Sequence, residues 1–441
     1  MFHLPSDETY FNIVFYHCKQ MFFNWFTFDK TRQYILKYDK NLIYIFYLFL
    51  LYNYFMKFLD YISDKQSHII CTKKHIIQDI FRDHWDDFLS LNPSLAIRKV
   101  VKDEVSKFLM CGSLSLGYSV YNCNVCDNYA YVPFTCKSRF FPSCGINSCI
   151  NRSNIMPSRC MNYSHRHITF TIPSSLWCFF QEDRTLLNLL FEASSFTILS
   201  WFKGISKKEI FIPGIISSLH TFGRDLKWNP HIHMIVTEGA HGRLTSWKSF
   251  NYFPFNMLRK RFMTRLLYLL SQKIHSDKFK KLKNILYKEN GKGFYVHAPK
   301  KRNSNTSSIL SYITRYVGRP VMAESRVLDY DGEFISYWYE KHEDNKRVEE
   351  KIHIFDFFKK LIIHIPEKGF HMVKYYGIYA MKKSKISTLK RVKEKLAKPL
   401  KWLDKLFLHF KCNPLKCTCG NNLKFEYVVP PSKVQHLSNL L

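Results

Sequence analysis

The stretch KWNPHIHMIV, residues 227–236, constrains the fold more than any other part of the chain. Successive side chains of a strand point to opposite faces. HIHMIV therefore sends His231, His233 and Ile235 one way and Ile232, Met234 and Val236 the other. The apolar set needs a covering layer of helices, while the histidine set needs an open face. HITFTIP (167–173) repeats the pattern, with Ile168, Phe170 and Ile172 opposed to His167, Thr169 and Thr171. IISSLH (215–220) and HIHMIV are joined by a segment holding Gly223 and Asn229-Pro230, so they are expected to pair as a hairpin with a longer loop. Around them lie RTLLNLLFEASSFTILSWF (184–202), which reads as a helix, a basic helical region at 255–290, and a short strand in FYVHA (294–298). TSSILSYITRYVGRP (306–320) reads as a helix capped by Thr306 or Ser307 and ended by Gly318 and Pro320. This order predicts an α+β domain, an antiparallel sheet with helices on one face.

Two imidazoles projecting side by side suit a bidentate metal site, and His220, at the end of the neighbouring strand, is the candidate third ligand. A single H-x-H is also an ordinary surface feature. Tyr312 and Tyr316, four apart, share one helix face, with Arg315 and Arg319 beyond them. Among 27 tyrosines such a pair is more often packing than chemistry. Beside a cation and arginines, however, a phenol can attack a phosphodiester, since both its phenolate and the developing phosphate charge are stabilised there.

A formal net charge of +31 makes a polyanion the natural partner, nucleic acid first, although an AT-rich gene would by itself raise lysine. The start, MFHLPSDETYF, lacks the pattern of a secretory signal, and the thirteen cysteines are odd in number and clustered. Both point to a reducing cytoplasm with metal-bound or free thiols. The apolar stretch at 42–59 is broken by Asn53 and Lys57 and reads as a buried or interfacial helix rather than a membrane span.

The segment CNVCDNYAYVPFTCKSRFFPSCGINSC (123–149) opens with a C-x2-C pair, the usual start of a structural tetrahedral zinc site. The expected ligands are Cys123, Cys126, Cys136 and Cys144, with Lys137 and Arg139 between the cysteines to grip DNA. Cys412, Cys417 and Cys419 are too few for a second site of their own and read as unpaired thiols sooner than as a metal candidate, and the basic run at 382–401 as a solvated stretch able to hold backbone phosphates.

Four blocks, HITFTIP, LHTFGRDLKWNPHIHMIV, YITRYVGRPVMAESRV and HIPEKGFHMVKYYGIYA (364–380), follow a Cys-rich segment in this order. Over about residues 79–425 the chain thereby resembles the HUH-type rolling-circle transposases of bacterial insertion sequences, the IS ninety-one-like group. That resemblance implies an HUH endonuclease domain in which His231 and His233 hold one magnesium or manganese ion, and Tyr312 and Tyr316 alternate as nucleophiles on single-stranded DNA. It also implies a 5′-phosphotyrosine intermediate, no nucleotide cofactor, and a place at the bacterial nucleoid. In the family's second cysteine run a cysteine stands where this chain has Phe141. The expected layout is an unassigned aromatic-rich extension (1–75), a helical and Cys-rich zinc-binding module (76–160), the catalytic domain (161–381) and a basic tail with a cysteine cluster (382–441). A catalytically inactive DNA-binding remnant, or a replication initiator or relaxase with the same chemistry, are the alternatives.

Overall fold

The computed structural model describes residues 68–69, 76–93, 95–138, 140–142, 144–145, 160–242, 244–250, 252–297, 320–341, 344–381 and 415–431. The stretch at 42–59 and the helix expected at 306–320, apart from Pro320, lie outside the described residues, and so do Arg139, Tyr312, Arg315, Tyr316 and Arg319. The chain divides into two compact units, one of Met1–Lys74, Ser106–Cys136 and Leu406–Leu441, the other of His75–Val105 and Lys137–Lys405.

The first unit is a four-stranded sheet of β1 (His68–Ile69), β2 (Tyr118–Asn122), β3 (Tyr129–Pro133) and, from the far end of the chain, β14 (Lys424–Val429), in the order β1-β3-β2-β14. The hairpin β2–β3 sets Tyr118 against Pro133 and Asn122 against Tyr129. Strand β14 adds antiparallel to β2, pairing Val429 with Tyr118 and Lys424 with Asn122. Leu114, Tyr118, Val120 and Val429 form one small apolar cluster, and Cys123, Ala130, Cys417 and Leu423 another. At Gly117, φ is +93° and a Cβ would lie 2.7 Å from the Val429 carbonyl oxygen, so the close approach of β14 requires glycine.

The second unit is built on a five-stranded antiparallel sheet. Its strands are β4 (His165–Thr171), β5 (Gly214–Phe222), β6 (Trp228–Thr237), β9 (Val296–His297) and β13 (Val373–Gly377), in the order β13-β5-β6-β4-β9. The hairpin expected between the strands at 215–220 and 231–236 is present, with Ile215 opposite Val236 and His220 opposite His231. Helices α1 (Ile76–Leu91), α2 (Lys99–Leu109) and α3 (Trp177–Glu182) come before α4 (Leu187–Lys203), α5 (Phe255–Ser271) and α6 (Asp277–Glu289). One face of the sheet, Ile168, Phe170, Ile215, Leu219, Ile232, Met234 and Val236, is buried against Leu190, Phe191, Ile198 and Phe202 of α4 and Phe262, Leu266 and Leu270 of α5. Each of these side chains removes roughly 1.5–3 kcal/mol worth of apolar surface from water, which is the main reason the helices sit on that face. The segment Arg184–Lys203 is the one helix among the described residues apolar and long enough to cross a membrane; its buried side chains belong to this core.

The strands β7 (Gly239–Ala240) and β8 (Lys248–Ser249) make a minor ribbon, and β10 (Val327–Tyr330), β11 (Phe334–Glu340) and β12 (Arg347–His353) an antiparallel meander. Helix α7 (Ile354–Ile362) follows the meander and packs on α1, with the Phe81 and Phe358 rings 4.0 Å apart. The architecture is α+β, with helices covering one face of an antiparallel sheet, as the alternation in the sequence implies.

Candidate metal centre

The face of the second unit's sheet opposite helices α4 and α5 carries the histidines. Strand pairing fixes their neighbours: His231 lies opposite His220 on β5 and Thr171 on β4, while His233 lies opposite Ser218 and Thr169. Nε2 of His231 and Nε2 of His233 are 3.0 Å apart. Ligand atoms of His220, His231 and His233 all lie within 4.8 Å of one another. The His220 ring is 4.6 Å from that of His233, centroid to centroid, and stacks on Phe222. His231 Nδ1–H donates to the Asn229 carbonyl at 2.7 Å, which fixes the tautomer and leaves Nε2 with its lone pair.

His167 completes the row. Its Nε2 is 2.9 Å from His233 Nδ1 and the two rings stack, with the Thr169 hydroxyl 3.4 Å from the same nitrogen. His167 therefore orients His233 from behind, as groups behind a metal ligand commonly do. Its place on the polar face of HITFTIP was legible in the sequence, but its contact with His233 follows only from the register that pairs Thr169 with His233 and His167 with Ile235. Burial first, and then the neighbouring imidazoles of His220, His231 and His167, hold His233 well below the usual histidine range, so it is neutral and able to bind a cation.

This donor set fits a divalent cation. Two nitrogens 3.0 Å apart match adjacent ligands of one octahedral ion with bonds of about 2.1 Å. The buried Ser218 hydroxyl, on the same face, has no hydrogen-bond partner among the described residues. Three imidazole ligands favour a borderline ion over a strictly oxygen-seeking one, so manganese suits the site better than magnesium unless phosphate and water supply the remaining ligands.

The last sequence block, HIPEKGFHMVKYYGIYA, supports this face without facing a metal. His364 is buried, accepts from the Thr221 hydroxyl at Nδ1 (3.1 Å) and donates from Nε2 to the Leu226 carbonyl (2.9 Å), which pins the β5–β6 loop. Burial pushes its pKa down to about 4. Tyr379, whose phenol burial raises well above its ordinary value, donates to Nε2 of His165 at 2.5 Å. His165 is likewise pushed by burial to about 4. Gly377, at φ +59°, lets the chain turn where a Cβ would sit 1.8 Å from the Pro213 carbonyl oxygen.

The cysteines differ from expectation. Cys123, Cys126, Cys136 and Cys144 do not form one set. Cys123 and Cys126 lie with Cys417 and Cys419, which from sequence read as unpaired thiols sooner than as a metal candidate. The physical reason is the hairpin. Cys123 and Cys126 sit at its turn, whereas Cys136 follows the far end of β3, and a five-residue strand advances about 17 Å. There the Cys136 backbone N–H donates to the Cys111 sulfur at 3.2 Å. Cys144 is buried in the second unit. Phe141 is also buried, 2% exposed, and so occupies a core position. Lys137 is exposed, with a left-handed backbone at φ +54°.

Known proteins are similar to parts of this chain. A family model described as a transposase zinc-binding domain matches residues 80–172, and one described as a putative transposase matches 214–386, the span that holds His220, His231 and His233. The transposase for insertion sequence element IS801 of Pseudomonas savastanoi pv. phaseolicola is 28% identical over 298 residues, 64% of this chain and 71% of that protein. The putative transposase y4qJ of Sinorhizobium fredii is 23% identical over 322 residues, 68% of this chain and 79% of that one. No solved structure matches the chain significantly. The chain is thus similar to a transposase zinc-binding domain over residues 80–172 and to a transposase domain over 214–386, in line with its resemblance to the IS ninety-one-like transposases of insertion sequences.

Proposed function

We propose that the protein moves its element by rolling-circle transposition, nicking single-stranded DNA through a tyrosine and a divalent cation held by His220, His231 and His233. One observation carries this reading: three imidazoles converge on the face of an antiparallel sheet opposite its helices, inside the residues matched to a transposase. A divalent ion there would polarise the scissile phosphate. His233, kept neutral, would remain a ligand at ordinary pH, and His167 would keep its ring in place. Tyr312 or Tyr316 would then attack phosphorus. The bond from tyrosine oxygen to phosphorus forms, the bond to the 3′ oxygen breaks, the phenol loses its proton and the departing 3′ oxygen gains one. The product is a 5′-phosphotyrosine and a free 3′-OH, which stores the cleaved linkage for strand transfer without a nucleotide cofactor. Arg315 and Arg319, four residues apart, are placed in sequence to hold backbone phosphates beside the tyrosines. Lys137 and Arg139 would add contacts to the element's ends. Such a protein works on DNA in the bacterial cytoplasm, at the nucleoid.

The test is covalent capture. Full-length protein, a labelled single-stranded oligonucleotide carrying an element end, and manganese or magnesium should give an adduct that survives denaturation. His231→Ala with His233→Ala should abolish it while leaving DNA binding, and at least one of Tyr312→Phe and Tyr316→Phe should do the same. Unimpaired adduct formation by the double histidine variant would refute the metal assignment, and unimpaired adduct in both tyrosine variants would refute the nucleophiles. A wild-type protein that binds but never forms an adduct would be an inactive remnant. Preference for a plasmid origin over element ends would make it an initiator or relaxase.

A further inference from the structure

The structure assigns a tetrathiolate zinc site to Cys123, Cys126, Cys417 and Cys419, a clasp in which the end of the chain supplies half of the ligands. Two of these cysteines lie outside residues 80–172, the span matched to a zinc-binding domain.

The two pairs are carried by turns of similar design. In the first, Cys123 N–H donates to the Asn128 carbonyl at 2.9 Å and Asp127 N–H returns to the Cys123 carbonyl at 2.8 Å, with Asp127 at φ +52°. In the second, Cys417 N–H donates to the Asn421 carbonyl at 2.8 Å and Gly420 N–H returns to the Cys417 carbonyl at 2.9 Å, with Gly420 at φ +86°. Each turn closes a hairpin, β2–β3 in one case and the Lys416–Asn422 bridge leading into β14 in the other. Pairing of β14 with β2 then brings the two turns together.

The sulfur geometry selects a metal over the alternatives. Cys126 is 3.4 Å from Cys417 and 3.5 Å from Cys419, and Cys123 is 3.5 Å from Cys419, sulfur to sulfur. All four sulfurs lie within 4.8 Å of one another. A disulfide needs about 2.05 Å, so no pair is bonded. Four thiolates around zinc with bonds of about 2.3 Å stand about 3.8 Å apart, close to the observed spacing. The Asn421 side chain donates to Cys419 at 3.4 Å, the kind of contact that orients a bound thiolate. Weak S–H contacts alone give no reason to gather four sulfurs at the edge of two small apolar clusters. A structural zinc does, because a thin sheet needs a staple.

The site predicts a coupling. Zinc binding and docking of residues 415–429 are one event, so the end of the chain is tied to the segment that precedes the transposase-matched span. The readout is metal content of the full-length protein, which does not depend on DNA cleavage. Cys417→Ser with Cys419→Ser should weaken zinc binding by about 100-fold or more, as should Cys123→Ser with Cys126→Ser, while Cys178→Ser changes nothing. Should the serine variants fail to fold, Cys419→His in cobalt-loaded protein provides the second measurement. Replacing one thiolate by imidazole should weaken and shift the intense thiolate-to-cobalt absorption. Wild-type zinc content in the Cys417/Cys419 variant, or an unchanged cobalt spectrum in Cys419→His, would overturn the assignment.

Discussion

The histidine centre and the cysteine clasp place side chains by opposite means. His220, His231 and His233 come from one hairpin, and the sheet would position them with or without an ion, since its other face is fixed by a large apolar core. Cys123 and Cys419 are separated by 296 positions and meet at the rim of a thin sheet whose buried clusters are small. In the first region packing places the ligands proposed for a metal. In the second the zinc inferred there would do part of the work of a core, as it does in small domains that cannot bury enough surface.

The most forceful way to break this contrast is to strip the metal. Structural zinc contributes on the order of 10 kcal/mol or more to small domains. Chelation should therefore erase hydrogen-exchange protection in β2, β3 and β14 while β5 and β6 stay protected; equal loss in both sheets would show that the histidine centre too needs an ion to form. Next in size is Gly377→Ala, which meets both a left-handed backbone and a Cβ 1.8 Å from the Pro213 carbonyl. Denaturant titration should show a loss of about 4 kcal/mol, from strain and overpacking together. If the histidine sheet tolerates alanine there, it is less tightly specified than the packing implies.

Acid should reach the histidine unit through residues that bind no metal. His165 and His364 are pushed down to about 4 in the folded protein. The unfolded chain therefore takes up protons first, and stability is complete above the ordinary histidine value of about 6.5 and falls as pH drops from there toward 4. Each contributes up to about 3 kcal/mol over that window. His364→Gln should flatten part of the profile in pH-dependent melting, and an unchanged slope would exclude His364 as a source. The smallest expected effect sharpens the local picture: His167→Ala should lower manganese affinity by about 10–100-fold in calorimetric titration, with the fold intact. No change would make His167 a bystander of His233.

What the sequence determined on its own rests on a period of two. Alternation in HITFTIP and HIHMIV identified the strands and the sheet's two faces, and it grouped His231 and His233, because a strand's side-chain direction is a local property of the backbone. Placing His220 beside them needed only the assumption that consecutive strands pair. The same reasoning failed for the cysteines. Spacing grouped Cys136 and Cys144 with Cys123 and Cys126 because all four are near in sequence, whereas the β2–β3 hairpin carries Cys136 to the opposite end. Only tertiary structure decided that β14 returns to pair with β2, that Cys417 and Cys419 stand opposite the first pair, and that His167 backs His233. Strand order and register are set by which apolar faces can be buried together. That is a property of the whole chain, and no short window of residues contains it.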